Sequence, residues 1–443
     1  MLSKKQSDGN YNPSGDCLVR TGPQKRIGFI STRFHGTDGV TLEARKWEQI
    51  FSGMGHRIFW MGGLLDTPPE TSHYAPLAFF NHPRVLEVQN KLFGTVKRTR
   101  EITNEIHAIK EALKDEIYRF IDKFHVEILI PENALAIPMH IPFGLAIAEV
   151  IAETALPTIA HHHDFYWERD RFTLNSVNDY LHAAFPPDMH SIEHVVINSM
   201  AQKELARRLG IPSAIIPNVL EFETPPPGVD DFNRDFRQEI GLKPDDILIL
   251  QPTRVVARKG IEHAIDLVRR LKEPRAKLVI SHSINDEGNQ YFQMIRDRIE
   301  DAKIDVRFIA DRIGQTRGYT GDGKKIYTLF DVYPHADLVT YPSYYEGFGN
   351  AFLEAIYFKK PIVVNTYAVY ARDIDPLGFK TIEISNLITG EVVEQVRTIL
   401  RDKNTQNEWA ETNYQLGLKY FSYSVARRKL AARIANLFGE GLS

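Results

Sequence analysis

A chain of 443 residues is too long for one ordinary hydrophobic core, and its 43% hydrophobic and 25% charged content predicts a globular protein of about two domains. The formal charge of -3 gives no reason to invoke nucleic acid, and the one cysteine, Cys17, excludes an internal disulfide or a cysteine-based metal cluster. No run reaches the roughly 18–20 apolar residues a membrane-spanning helix needs, so no integral membrane segment is expected and a reducing, cytoplasmic compartment fits.

Residues 1–24 lack the apolar core of a signal peptide and are expected to form a disordered leader. RIGFISTRF (26–34) then predicts a strand that passes through HGTDG into VTLEARKWEQIFSGMG, whose apolar spacing is helical. RIFWMGG (57–63) predicts a second strand and 101–124 a long amphipathic helix. VEILIPEN (126–133) and PTIAHHHD (157–164) follow as buried strands on either side of an apolar helix near 142–153, and EHVVINS (193–199) and SAIIPNV (213–219) continue the alternation. At 217–235 three consecutive prolines among acidic residues interrupt it, which marks a domain boundary.

Beyond the boundary the pattern restarts: strand DILILQPTR, a helix near 259–272, strand AKLVISHS, a helix near 289–300, strands VRFIA and ADLVTYPS, a helix from about 349, strand PIVVNTY and several C-terminal helices. Short apolar strands alternating with helices predict α/β architecture, with two doubly wound, Rossmann-like domains of parallel sheet facing a central cleft. The expected division is 25–216, 217–421 and a final helical stretch 422–443. Ligands of such sheets bind beyond the carboxyl ends of the strands, where HGTDG, PEN, HHHD, TRVVARKG and YEGFG all fall.

In YEGFGNAFLE (345–354), Glu346 precedes a glycine loop, and Glu354 lies in the second turn of the helix that starts near Gly349. Amides at 347–350 are placed to meet an anion at that helix end. The plain alternative makes Glu354 a solvated helix acid and Glu346 a complement to the helix dipole. QPTRVVARKG supplies Arg254 and Lys259 on one strand-to-helix turn, a guanidinium and an ammonium suited to one phosphate group, unless both are surface charges. Gly39 in GTDGV allows a phosphate or sugar close to the backbone, or simply makes an ordinary turn.

HHHDFYWERDRF (161–172) is the most polar and aromatic strand exit. Its adjacent histidines alternate between faces and no suitably spaced carboxylate or cysteine set completes a site, so no metal is expected. His163 and Asp164, beside Tyr166 and Trp167, suit a sugar pocket with an aromatic wall, against the alternative of a satisfied buried histidine pair. In PENALAIPMH, Glu132, Asn133 and His140 are candidate acceptor contacts, with a capping role for Asn133 as the alternative.

Together these residues resemble the signature of retaining glycosyltransferases of GT-B fold, family 4. EGFGNAFLE matches the family's pair of acids separated by seven residues, Arg254 and Lys259 keep the spacing of its basic pair, and GTDGV stands at its glycine loop. HHHD carries its N-domain histidine, and IPNV (216–219) is similar to its interdomain hinge. The resemblance implies transfer of a hexose from a GDP-mannose or UDP-glucose type donor to a hydroxyl of a small polar acceptor, with retention and without a metal or permanent cofactor. It implies a catalytic set of Glu346, His163, Arg254 and Lys259. Glu346 would hold the donor sugar, Glu354 the ribose, Arg254 and Lys259 the diphosphate, Gly39 the region near the phosphates, and the amides around Phe348 and Gly349 the donor. Asn133, His140 and Asp164 are the candidate acceptor side, and the last helix would return to the first domain. Within the family, TDGVTLEARKW, PENALAIPMHIP and HHHDFYWERDRF are similar to enzymes that add mannose to glucosylglycerate-type acceptors. The partners expected are therefore donor and acceptor, with a homo-oligomer allowed. The rivals are a GT-B sugar nucleotide epimerase, which makes no glycoside, and a non-catalytic nucleotide-sugar-binding protein.

Overall fold

The computed structural model describes residues 23–36, 38–282 and 289–439, so Cys17 and nearly all of the expected leader lie outside the described residues. The first domain is built on strands β1 (Arg26–Ile30), β2 (Arg57–Gly62), β3 (Ser72–Tyr74), β4 (Ile128–Pro131), β5 (Thr158–His162), β6 (Ile192–Val196) and β7 (Ala214–Ile215). They form one parallel sheet in the order β3-β2-β1-β4-β5-β6-β7. Every residue of β4 and β5 is buried because helices cover both faces. Phe29, Ile128 and Ile130 point to a layer with Trp47 and Phe51, while Ile30 and Leu129 point to one with Ile109, Leu113 and Phe120. Those last residues belong to the helix Arg100–Phe124, whose buried positions recur every three or four residues.

The second sheet contains β8 (Ile247–Gln251), β9 (Ala276–Ile280), β10 (Asp305–Phe308), β13 (Leu338–Tyr341), β14 (Ile362–Asn365) and β15 (Ile382–Ile384), parallel in the order β10-β9-β8-β13-β14-β15. A small antiparallel hairpin, β11 (Gly318–Tyr319) with β12 (Lys325–Ile326), is inserted before β13. Two expectations need correction. SAIIPNV contributes only Ala214–Ile215 to a ladder, since Pro217 has no N–H to donate. The helix placed at 259–272 runs Ile261–Leu271, after a 3₁₀ turn Ala257–Lys259 and Gly260 at φ 60°.

The chain crosses between the domains twice, side by side, where the Leu220 amide donates to the Phe421 carbonyl at 2.9 Å. Phe222 enters the second core, whereas the helix Tyr423–Phe438 lays Ala426, Leu430 and Ile434 against the first sheet. Strand order reverses between β1 and β4 in one sheet and between β8 and β13 in the other. Such reversals open a crevice at the carboxyl ends, and the two crevices face one another across direct interdomain contacts. Asn198 Nδ2 donates to the Gly347 carbonyl at 2.7 Å, the Ser199 amide to Asp373 Oδ2 at 2.7 Å, and Asn218 Nδ2 to Asn350 Oδ1 at 2.8 Å.

Candidate active site

The loops leaving β8 and β13 are adjacent because their strands pair, and the Tyr344 amide joins them by donating to the Arg258 carbonyl at 2.8 Å. Gly260 permits the approach: a β-carbon there would meet the Pro342 carbonyl oxygen at 2.3 Å. Glu346 consequently receives two cations on its two oxygens, the Lys259 ammonium on Oε1 and Arg258 Nη1 on Oε2 at 2.8 Å. Burial would push the Glu346 carboxyl up, but Lys259 and Arg258 outweigh it and hold the group at about 2. Burial also draws the Lys259 ammonium below its usual range, against the pull of Glu346.

This revises the basic pair. Lys259 shares its acid with Arg258, which sequence reasoning passed over, while Arg254 is exposed on the same loop within electrostatic reach of Lys259 and His282. The available signal was ARKG itself: consecutive long cations in a tight turn can reach one acid together. His282, at the exit of β9, was also missed; burial, then Arg254 and Lys259, hold it down at about 4.

The helix after Glu346 runs Asn350–Tyr357, and among the described residues the amides of Gly347, Phe348, Gly349 and Asn350 meet no hydrogen-bond acceptor. Phe348 offers only backbone to a ligand, since its ring is 3% exposed and packs edge-on against Phe421. Gly349 has φ 130°, and a β-carbon on it would stand 2.6 Å from the Tyr367 hydroxyl, which donates to the Phe348 carbonyl at 2.5 Å. Gly349→Ala is therefore expected to destabilise the fold by about 2–4 kcal/mol through backbone strain and overpacking, measured by urea unfolding. An unchanged midpoint would contradict this account of the loop.

Glu354 is partly buried, accepts from the Tyr333 hydroxyl at 2.8 Å, and is pushed up by burial against that bond. It is not a solvated helix acid. Lys46 and Glu43, on the first-domain helix Gly39–Gly53, lie within electrostatic reach across the cleft. Nothing in DVYPH marked Tyr333 as its partner.

The first-domain loops depart further from expectation. Gly39 does begin a helix, but Asp38 caps it by accepting from the Val40 and Thr41 amides, so the chain's own acid fills the place assigned to an anion. His140 is no acceptor contact in this geometry. It is 2% exposed, accepts from the Phe143 amide at 3.2 Å as a helix cap, turns Nε2 to the Leu77 carbonyl at 2.9 Å, and is held at about 4 by burial. Asn133, at φ 57°, uses its side chain to bind the neighbouring strand exit, giving Nδ2 to Asp164 at 2.8 Å and accepting from the His163 amide at 3.0 Å. Asp164 in turn pairs with Arg169, with Nε at 2.8 Å. Trp167 stacks on buried Phe165 at 4.5 Å, beneath Arg208, so the aromatic wall faces its own domain.

Against expectation, a carboxylate does stand beside the histidine triplet. Residues 161 and 163 share a face, and parallel pairing brings Glu132 opposite His161. Its carboxylate lies 3.0 Å from His161 Nδ1 and 3.2 Å from His163 Nε2. One ligand atom from each residue falls within 4.8 Å of the others, the size of a metal site. Metal-bound imidazole ordinarily donates its second N–H, yet His161 Nε2 is buried with no partner among the described residues. The set therefore fits a buried acid between two imidazoles better than a metal centre. It adjoins the donor-side loop: a β-carbon on Gly347 would lie 3.4 Å from the His163 carbonyl oxygen.

Residues 232–416 match the family described as glycosyl transferases group 1. The chain is 31% identical to mannosylglucosylglycerate synthase of Petrotoga mobilis over 93% of its own length and 96% of the relative's. It is 29% identical to the enzyme of the same name from Thermotoga maritima, over 90% and 96%. In fold it is similar to a glycosyltransferase from Rickettsia africae (TM-score 0.66, 13% identity, 94% of this chain and 100% of that one). Sucrose-phosphate synthase from Thermosynechococcus elongatus gives a TM-score of 0.64 at 14% identity, again over 94% and 100%. At these identities the structures speak for the GT-B architecture alone. With a relative 31% identical along nearly its whole length and two Rossmann-like sheets meeting at this cleft, the chain belongs to the glycosyl transferases of group 1.

Proposed function

We propose that the protein transfers mannose from GDP-mannose to a hydroxyl of glucosylglycerate or a closely similar small acid, with retained anomeric configuration and without a metal. UDP-glucose is the alternative donor type. The observation that carries the reading is Glu346, partly buried where strand order reverses, between Lys259 and Arg258 and beside four amides that meet no acceptor among the described residues. Two cations on one acid leave net positive charge, which a diphosphate leaving group complements. The relatives' names support the donor sugar and the acceptor.

In this mechanism Lys259, Arg258 and Arg254 stabilise negative charge growing on the departing diphosphate, while the amides at 347–350 fix the donor. Glu346 orients the sugar hydroxyls and Glu354 takes the ribose. Each acid has its own partner, Lys259 for one and Tyr333 for the other, and in this reading neither is the nucleophile that retaining hydrolases use. Attack then occurs on the same face as departure, and a departing phosphate oxygen takes the acceptor proton. His163 faces the reacting sugar. Asn133 and Asp164 shape the acceptor side by fixing the loop that carries it, and closure of the domains excludes water.

The test is incubation with each donor and glucosylglycerate in excess EDTA, followed by product mass and anomeric configuration by NMR. Thermal stabilisation by each donor is read in parallel, and a ligand at a hundred times its Kd adds about 2.7 kcal/mol. GDP-mannose should stabilise more than UDP-glucose and yield an α-mannosylated product. An inverted product removes retention, dependence on added metal removes metal independence, and no glycoside from either donor removes the substrate assignment.

A further inference from the structure

The group that the mechanism leaves unused is Glu132, a carboxylate with 0% exposure at the exit of β4. Its oxygens meet no backbone donor among the described residues; their partners are His161 Nδ1, at 3.1 and 3.0 Å, and His163 Nε2, at 3.2 Å. An ionised carboxylate is buried at heavy cost unless a nearby positive charge balances it. Burial pushes the Glu132 carboxyl up, but His161 and His163 outweigh it and hold the group below its ordinary value, so the acid is ionised and one of the two imidazoles supplies the balancing charge.

Geometry distinguishes them. His161 lies 3.9 Å from the Trp47 ring in a stacked pair, and its Nε2 is buried with no partner among the described residues. A cationic His161 would strand a charged N–H donor there, whereas a neutral ring donating Nδ1–H to Glu132 leaves only a bare nitrogen. His163 keeps 10% of its side chain exposed, and its carbonyl lies against Gly347 of the donor-side loop. With Nε2 turned inward on Glu132, Nδ1 is its remaining polar atom.

We infer that Glu132 is a positioning residue which fixes the His163 ring and keeps it an imidazolium, so that Nδ1–H is presented to the cleft as a charged hydrogen-bond donor for an oxygen of the reacting donor sugar or its leaving phosphate. This deepens the proposed transfer and rests on that reading for the ligand, though not for the charge of His163. The groups facing His163 are Glu132 from the exit of β4, His161, His162 and Asp164 from its own strand and its exit, and Glu43 from the helix Gly39–Gly53. Burial opposes the charge, but the bond to Glu132 and the three carboxylates together raise His163 above its ordinary value.

The deciding measurement is imidazole NMR on wild-type protein labelled with nitrogen-15 histidine, with His163 assigned through His163→Asn. Both His163 nitrogens should be protonated at pH 7 and His161 should be a single neutral tautomer. A neutral His163 at pH 7, or an equimolar bound metal in the same sample that is lost in Glu132→Gln, would overturn the inference. Kinetics provide the second arm. Glu132→Gln keeps the shape and removes the charge, so kcat should fall 10- to 100-fold with donor KM changed less than threefold, and the alkaline limb of the rate profile should move to lower pH. In a His163→Asn background the same substitution should add less than threefold. An equal loss in both backgrounds means that Glu132 acts on folding alone, and the inference fails. Failure of transfer with every donor would instead remove the substrate reading while leaving the NMR result to stand.

Discussion

Lys259→Ala is expected to lower glycosyl transfer by about 10³-fold and to cost about 3 kcal/mol of stability as well. The lost rate follows from removing a cation placed for the diphosphate. The lost stability follows from desolvation: without Lys259, the largely enclosed Glu346 carboxylate keeps Arg258 as its one ion-pair partner among the described residues. Glu346→Ala should also abolish most transfer, but it leaves an ammonium that burial already pulls toward neutrality and that can discharge by losing its proton. The double variant Lys259→Ala/Glu346→Ala should therefore be as inactive as either single variant and more stable than Lys259→Ala. Urea unfolding of all four proteins gives the coupling energy, expected at about 2 kcal/mol or more. Additive stability losses would show that the ion pair is not the buried unit described, and near-normal turnover in either single variant would remove both residues from the site.

That coupling marks how far a linear reading reaches. The strands that build the cleft were legible because helices cover both faces of each sheet and β1, β4, β5, β8 and β13 are short apolar runs. Glu346, Lys259 and the amide-bearing loop were legible because each lies next to a strand end or a glycine. The link between Glu132 and His161 was not, since residues 29 apart become neighbours only once β4 and β5 pair in a particular register. His140 misled for a related reason. A polar residue in PMHIP suggests a cleft wall, whereas backbone groups of Leu77 and Phe143 take both ring nitrogens into the interior. The hairpin β11–β12 escaped notice because two residues per strand are too few for alternation to register.

His140 and His194 predict a second large effect, a loss of about 4 kcal/mol of stability from these two rings together between pH 7.5 and pH 5.0. His140 and His194 are 2% and 4% exposed, and burial brings each down to about 4. His194 Nδ1 also shares a hydrogen bond with His162 Nε2 at 2.9 Å, so a proton added to that neutral pair would place a cation in the core. In the unfolded chain these rings titrate near 6.5, so the unfolded state binds more protons throughout the window from about 6.5 to 4. Their contribution is thus fully present above about 6.5 and lost as pH falls toward 4, at about 2 kcal/mol per ring by pH 5. The Glu346 ion pair does not produce this loss. Its carboxyl stays ionised until well below the ordinary carboxylate range, and its contribution, present above about 4.5, disappears only as pH falls toward 2. His140→Asn separates the terms, because asparagine can still cap the helix while carrying no titrating group. Whatever it costs at neutral pH, its unfolding free energy should fall by about 2 kcal/mol less than that of wild type between pH 7.5 and 5.0; an equal fall would mean that His140 is not a neutral buried ring.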